Sequence, residues 1–131
     1  MSLIKAIRFA WAFPTTLLGL CFVPAGLISG GSVRWIDGAL EVHGRLIRFL
    51  LHRCTLLPGG ASAMTLGHVV LGRDPDCLAR ARSHERIHVH QCERWGPFFL
   101  PAYGLSSLAA FLRGKDPYYD NPFEREAFAN G

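Results

Sequence analysis

From Phe9 to Val33 the chain runs FAWAFPTTLLGLCFVPAGLISGGSV without a charge, and Lys5 and Arg8 stand just before it. Positive residues ahead of a long apolar stretch are the layout of a signal sequence or an uncleaved anchor. The second reading is preferred because Pro24 spoils the small-residue cleavage site at Val23-Pro24-Ala25. The stretch is long enough to span a bilayer with its N-terminus in the cytoplasm. Pro14, Pro24 and the glycines within it disfavour one straight helix, so a re-entrant or interfacial hairpin is the competing arrangement for residues 1–33.

The pattern then shortens. Val33-Arg34-Trp35-Ile36 and Ala39-Leu40-Glu41-Val42 flank Asp37-Gly38, a pair suited to the tight turn of a β-hairpin. Ala63 to Leu71 (AMTLGHVVL) is rich in β-formers, bounded by Gly59-Gly60 and Gly72, and predicts a further strand. Arg45 to His52 (RLIRFLLH) suits a strand or a short helix, and its periodicity does not choose between them. At Asp74 the signals sharpen. A capping side chain, Pro75 at the first helical position and Asp76 in the first turn predict a helix that runs to Trp95 and stops at Gly96-Pro97. A second uncharged stretch, Trp95 to Leu112, is closed by Arg113, Lys115 and Asp116. Asn121-Pro122 repeats the cap-and-proline signature and opens a terminal helix over Phe123 to Ala129. With no internal repeat and no low-complexity linker, residues 1–131 read as one α+β domain. The expected architecture is a short antiparallel sheet packed with the long helix and a short C-terminal helix, plus membrane-associated hydrophobic segments.

Composition narrows the class. Of 131 residues 50% are hydrophobic and 18% charged, with mean hydropathy +0.19, which excludes a disordered, solvating chain. A water-soluble domain of this size leaves much of its surface exposed, so the apolar surplus points to membrane lipid or to oligomerisation through the apolar segments. The formal net charge of +4 comes from arginines spread along the chain with no nucleic-acid-reading motif beside them, so nucleic acid is not an expected partner. Cys21, Cys54, Cys77 and Cys92 show no C-x-x-C spacing. That argues against a zinc ribbon or a thioredoxin-like site, and buried free thiols are the simplest reading.

The chemistry sits in the capped helix, as His84-Glu85-Arg86-Ile87-His88. An H-E-x-x-H spacing puts two imidazoles on one helix face a turn apart, where they can share a metal ion. The glutamate lies beside the ion, where a general base for water belongs. Zinc needs a third protein ligand. His90 points about 200° away from His88 around the helix and cannot reach the same ion. Asn121 to Ala127 (NPFEREA) offers two carboxylates, Glu124 and Glu126, on a separate helix.

HERIHVHQ together with NPFEREA resembles the gluzincin metallopeptidases, in which a glutamate on a second helix completes a zinc site. In several branches, among them the membrane-embedded CAAX-processing proteases and small repressor-cleaving domains, that glutamate opens an E-x-x-A-[DN] pattern. On this chain the pattern selects Glu124, with Ala127 three residues on; it asks for Asp or Asn at the position held by Phe128. Glu126, with Asn130 four residues beyond it, stays as the alternative. The resemblance implies Zn²⁺ on His84, His88 and Glu124, and Glu85 as the base that activates water against a peptide bond. It also implies a peptide or protein substrate and a place at a bacterial inner membrane. Gln91 matches the H-E-x-x-H-x-x-Q variant of small bacterial proteins and is expected to hydrogen-bond a ligand. Tyr118, Tyr119 and His68 are candidate oxyanion donors. The predicted strand at 63–71 would offer its edge to an extended peptide, as zincins do.

Two other readings use the same residues: a non-enzymatic metal-binding membrane protein with the same His/His/Glu site, and a hydrophobic assembly subunit in which the motif is coincidental. Sharing one ion also constrains the second apolar stretch. As a membrane-crossing helix, residues 95–112 would rise about 27 Å and carry the terminal helix away from the histidines, so the metal expectation requires that stretch to turn back, as a re-entrant loop, a surface-lying apolar hairpin or a packed core element.

Overall fold

A computed structural model describes residues 2–55 and 59–131. Helix α1 (Leu3–Leu20) is capped by Ser2 and continues through Pro14; a turn at Cys21 leads into α2 (Val23–Ile28), which has Pro24 in its first turn. Strands β1 (Val33–Ile36) and β2 (Ala39–His43) form the expected hairpin, with both turn residues at positive φ, Asp37 at 49° and Gly38 at 81°. The ambiguous segment is helix α3 (Arg45–Arg53). Strands β3 (Ala63–Leu66) and β4 (Val69–Gly72), helix α4 (Pro75–Trp95), a 3-10 turn (Gly96–Phe98), helix α5 (Phe99–Leu112) and helix α6 (Pro122–Asn130) complete the chain. The architecture is α+β.

Two expectations about the sheet are corrected. Residues 63–71 are a hairpin, broken at Gly67-His68, rather than one strand. The sheet is mixed rather than antiparallel: its order is β1-β2-β4-β3, and β4 lies parallel to β2. Burial explains the order. Every residue of β4 is buried while the start of β3 is only half-buried, so β4 takes the interior position and β3 the edge. On one face Val69 and Leu71 pack with Ile47 and Leu51 of α3; on the other, Val70 packs with Leu78 and Val89 of α4.

The segment 95–112 is corrected as well. It is a 3-10 turn and one helix of 14 residues, with no hairpin inside it. Helix α5 leads about 21 Å away, and the connection 113–121 brings the chain back. Asn121 closes the return, donating from Nδ2 to Ser107 Oγ (2.8 Å) and to Tyr103 O (3.1 Å). A helical segment and a shared site are therefore compatible, because α6 starts beside the middle of α5 and not beyond its end. The turn from α4 into α5 depends on Gly96 (φ 58°), where a Cβ would stand 2.3 Å from the Trp11 ring.

Leu3–Ile28, α1 and α2 together, is one stretch long and apolar enough to cross a membrane by length and composition. All four cysteines are free; Cys77 and Cys92 are buried as expected, but Cys21 and Cys54 are exposed.

Candidate metal centre

Helix α4 owes its start to Asp74, whose carboxylate accepts the Cys77 amide at 2.7 Å. Three turns on, the His84 and His88 rings lie 5.0 Å apart. Helix α6 is capped in the same manner, Asn121 Oδ1 accepting from Phe123 N at 2.9 Å. That cap sets Glu124 in the first turn, facing α4. Its Oε1 stands 3.0 Å from His84 Nε2 and 3.0 Å from His88 Nε2. Glu126, two residues on, points elsewhere: it accepts from Gln91 Nε2 at 2.8 Å and approaches neither imidazole. Side chains two apart on a helix diverge by about 200°, so only one of the pair faces the histidines.

Glu85 is buried beside them. Its Oε1 accepts from Thr65 Oγ1 of the edge strand β3 at 2.9 Å, and its Oε2 lies 3.8 Å from His84 Nε2. The ligand atoms of His84, Glu85 and His88 all fall within 4.8 Å of one another. Burial pushes the Glu85 acid upward, against the opposing pull of the two histidines and of Thr65. Burial acts upward on Glu124 too, but hydrogen bonds from His84 and His88, the charge of His88 and a bond from Tyr103 outweigh it and hold that carboxyl at about 2. His88 is drawn down by burial and up by Glu124, with a net rise.

Gln91 decides the tautomer of His88. Its Nε2 donates to Phe123 O (3.0 Å) and to Glu126, so its Oε1 faces His88 Nδ1 (2.7 Å) and takes the proton carried there. In the neutral ring the lone pair on Nε2 then points at an ionised carboxylate oxygen. Two such groups hold a 3.0 Å approach only when positive charge sits between them, as an extra proton on the imidazole or as a metal ion. The donor set fits zinc: bonds of about 2.0–2.1 Å in a tetrahedron place ligand atoms about 3.3 Å apart.

Tyr103 escaped the sequence reading. Its hydroxyl donates to Glu124 Oε2 at 2.5 Å, fixing the oxygen that the histidines do not use. The one available signal was its being the only tyrosine in the apolar run 95–112. Tyr118 lines the same cavity of 210 Å³ as Glu85, His88, Tyr103 and Glu124, whose other walls include Met64 and Leu66 of β3 and Phe99 and Leu100 of α5. Burial and then the charge of Glu124 push both phenols well up, so both stay proton donors. Tyr119 is half exposed and lines a more open groove with His84 and Phe128. Phe128, where the gluzincin pattern has a polar residue, packs its ring 4.5 Å from that of His84.

His68 is corrected as an oxyanion candidate. It sits at the β3–β4 turn, pinned by Glu93 Oε2 at 2.8 Å and stacked on Phe9 at 3.8 Å, and it is not part of the cavity lining. The hairpin aims it at α1, away from α6. No protein-family model matches this chain, and neither a curated protein nor a solved structure shows significant similarity to it.

Proposed function

We propose that the protein is a membrane-associated, zinc-dependent, gluzincin-like metallopeptidase, acting on a peptide or protein substrate at a bacterial inner membrane. The observation that carries the reading is the placement of Glu124 Oε1 3.0 Å from both imidazoles, with Glu85 buried next to them. His84, His88 and Glu124 would hold the ion, which when bound supplies Lewis acidity toward water and a carbonyl. Glu85 takes the proton of the attacking water as its oxygen adds to the carbonyl carbon, and delivers that proton to the amine as the C–N bond breaks. Thr65 keeps Glu85 in place, Gln91 keeps the His88 proton on Nδ1, and Tyr103 anchors Glu124. Tyr118 is the best placed of the expected oxyanion donors, since it is the one in the cavity lining. Among the described residues strand β3 pairs with β4 alone, which leaves its outer edge to pair with an extended peptide beside Glu85.

The burial of Glu124 and His88 favours a second reading, a non-enzymatic centre that holds metal in a closed site. Metal analysis and peptide cleavage by the full chain separate the two. Zinc is expected at one equivalent in the wild type and in Glu85→Gln, and is lost in His84→Ala. Cleavage of a quenched fluorescent peptide library is expected from the wild type and not from Glu85→Gln. Full zinc in His84→Ala removes the metal reading. Zinc in the wild type without cleavage of any library member leaves the non-enzymatic one.

A further inference from the structure

Helix α1 has two unlike sides. Ala12, Thr15 and Gly19 are buried against the body, with Gly19 so close that a Cβ would stand 2.6 Å from Val69 Cβ. Ile4, Ile7, Trp11, Pro14 and Leu18, spaced three and four residues apart, form a second stripe about a quarter-turn round the helix, and the four large apolar side chains among them are 43–62% exposed. An apolar stripe of this kind needs a cover.

The helix is fastened to the body along its length, with Trp11 at the edge between the two sides. Phe9 stacks on His68; Trp11 Nε1 donates to Arg94 O at 3.1 Å; Thr15 Oγ1 donates to Gly96 O at 3.2 Å; Thr16 Oγ1 accepts from His68 N at 3.0 Å. A helix crossing a bilayer in this state would draw its neighbours in with it. At the level of Trp11 and Thr15, midway along α1, those neighbours are Glu93, Arg94 and the polar backbone of the β3–β4 turn. Ionised groups at that depth are expensive. The fastening and the charge together therefore argue against a spanning helix.

What the surface does offer is complementarity to an anionic bilayer. Lys5 and Arg8 are the only charges on α1, and both are positive. Arg8 shares a groove with Arg94, His90 and Glu93, and Glu93 is already bonded to His68 and His90. Trp11 and Trp95, each about two-fifths exposed, suit the boundary between acyl chains and headgroups.

We propose that α1 lies in the plane of an anionic bilayer as a docking surface, Ile4, Ile7 and Leu18 entering the acyl region, Trp11 at its boundary, and Arg8 and Arg94 binding headgroup phosphates. The proposal is independent of the metal centre. The test is flotation of the full-length protein with phosphatidylcholine vesicles, with and without phosphatidylglycerol. Wild type floats with the anionic vesicles. Ile7→Glu/Leu18→Glu, which alters only exposed positions and keeps its circular dichroism spectrum, stays at the bottom. Arg8→Gln/Arg94→Gln loses roughly thirty-fold in partitioning. Flotation unchanged in Ile7→Glu/Leu18→Glu overturns the proposal, as does a wild type that ignores vesicles and forms a dimer which those substitutions dissociate. Orientation has its own readout. In a Cys54→Ser background, Cys21, or Ser2→Cys with Cys21→Ser, is exposed to an impermeant maleimide outside the vesicles. Labelling at both positions is expected; protection of either until detergent is added shows a crossing helix and overturns the proposal.

Discussion

Helix α4 contributes to two clusters that look alike in composition, each a glutamate between two histidines, and they differ in what they can hold. At the first, His84 Nε2 and His88 Nε2 meet the same oxygen of Glu124, both at 3.0 Å, in a pocket where His88 and Glu124 are almost wholly buried. At the second, Glu93 gives one oxygen to each histidine: Oε2 to His68 at 2.8 Å, Oε1 to His90 at 3.1 Å. Its two histidines are drawn to opposite ends of the carboxylate, and His90 is exposed. The first geometry leaves three donors around one point, which is what coordination requires. The second is a hydrogen-bonded clamp that ties the β3–β4 turn to α4. Convergence of atoms, and not the residue types present, makes the difference.

The strongest way to break this comparison is to remove a converging donor. Glu124→Gln should cost more in zinc affinity than the roughly 10–100-fold typical of a lost outer partner, read by competition with a chromophoric chelator, while Glu93→Gln leaves the affinity unchanged. Equal effects would dissolve the distinction. Next in size, Glu85→Gln should lower peptide turnover by roughly 10²–10⁴ with zinc retained. Gln91→Ala frees the His88 ring to choose its tautomer and should weaken zinc binding about 10–100-fold, measured by the same competition.

Effects at the clamp fall on stability. His68→Ala removes the Phe9 stack and strands Glu93, for about 1–3 kcal/mol in urea denaturation, with no change in zinc stoichiometry. Acid should act there too. Burial pushes Glu93 up, but its bonds from His68 and His90 prevail and lower its pKa on folding. A carboxyl depressed in the folded state contributes its full stability above the ordinary glutamate range and loses it as pH falls through the folded value. Denaturation at neutral and acidic pH should thus show a smaller loss for Glu93→Gln than for the wild type. Smallest of all, His90→Ala at its exposed position should stay within about 0.5 kcal/mol.

Much of the architecture around these clusters was legible because it is written in neighbouring residues. Asp74-Pro75 and Asn121-Pro122 cap α4 and α6 as expected, and Asp37-Gly38 makes the first hairpin turn. His84, Glu85, His88 and Gln91 share one stretch of helix, so their spacing alone aligned them. Where the chain folds back, the reading failed. The run 63–71 looked like one strand because its apolar character does not show the turn at Gly67-His68. The turning back expected within 95–112 is made instead by the connection 113–121, whose return onto Ser107 and Tyr103 is held by side-chain bonds from Asn121 that no pattern announces.

The sequence by itself determined α4 and α6 with their caps, the first hairpin and the face on which two histidines and a glutamine align, since each depends on residues within a turn or two of one another. Only the tertiary structure decided that β4 lies parallel to β2, that Glu124 and not Glu126 faces the imidazoles, that Tyr103 anchors it and that His68 belongs to α1. Those outcomes rest on contacts between residues far apart in the chain. Such contacts are set by how whole elements pack, and one residue's shift along α6 would bring Phe123 or Arg125 in place of Glu124 to the imidazoles.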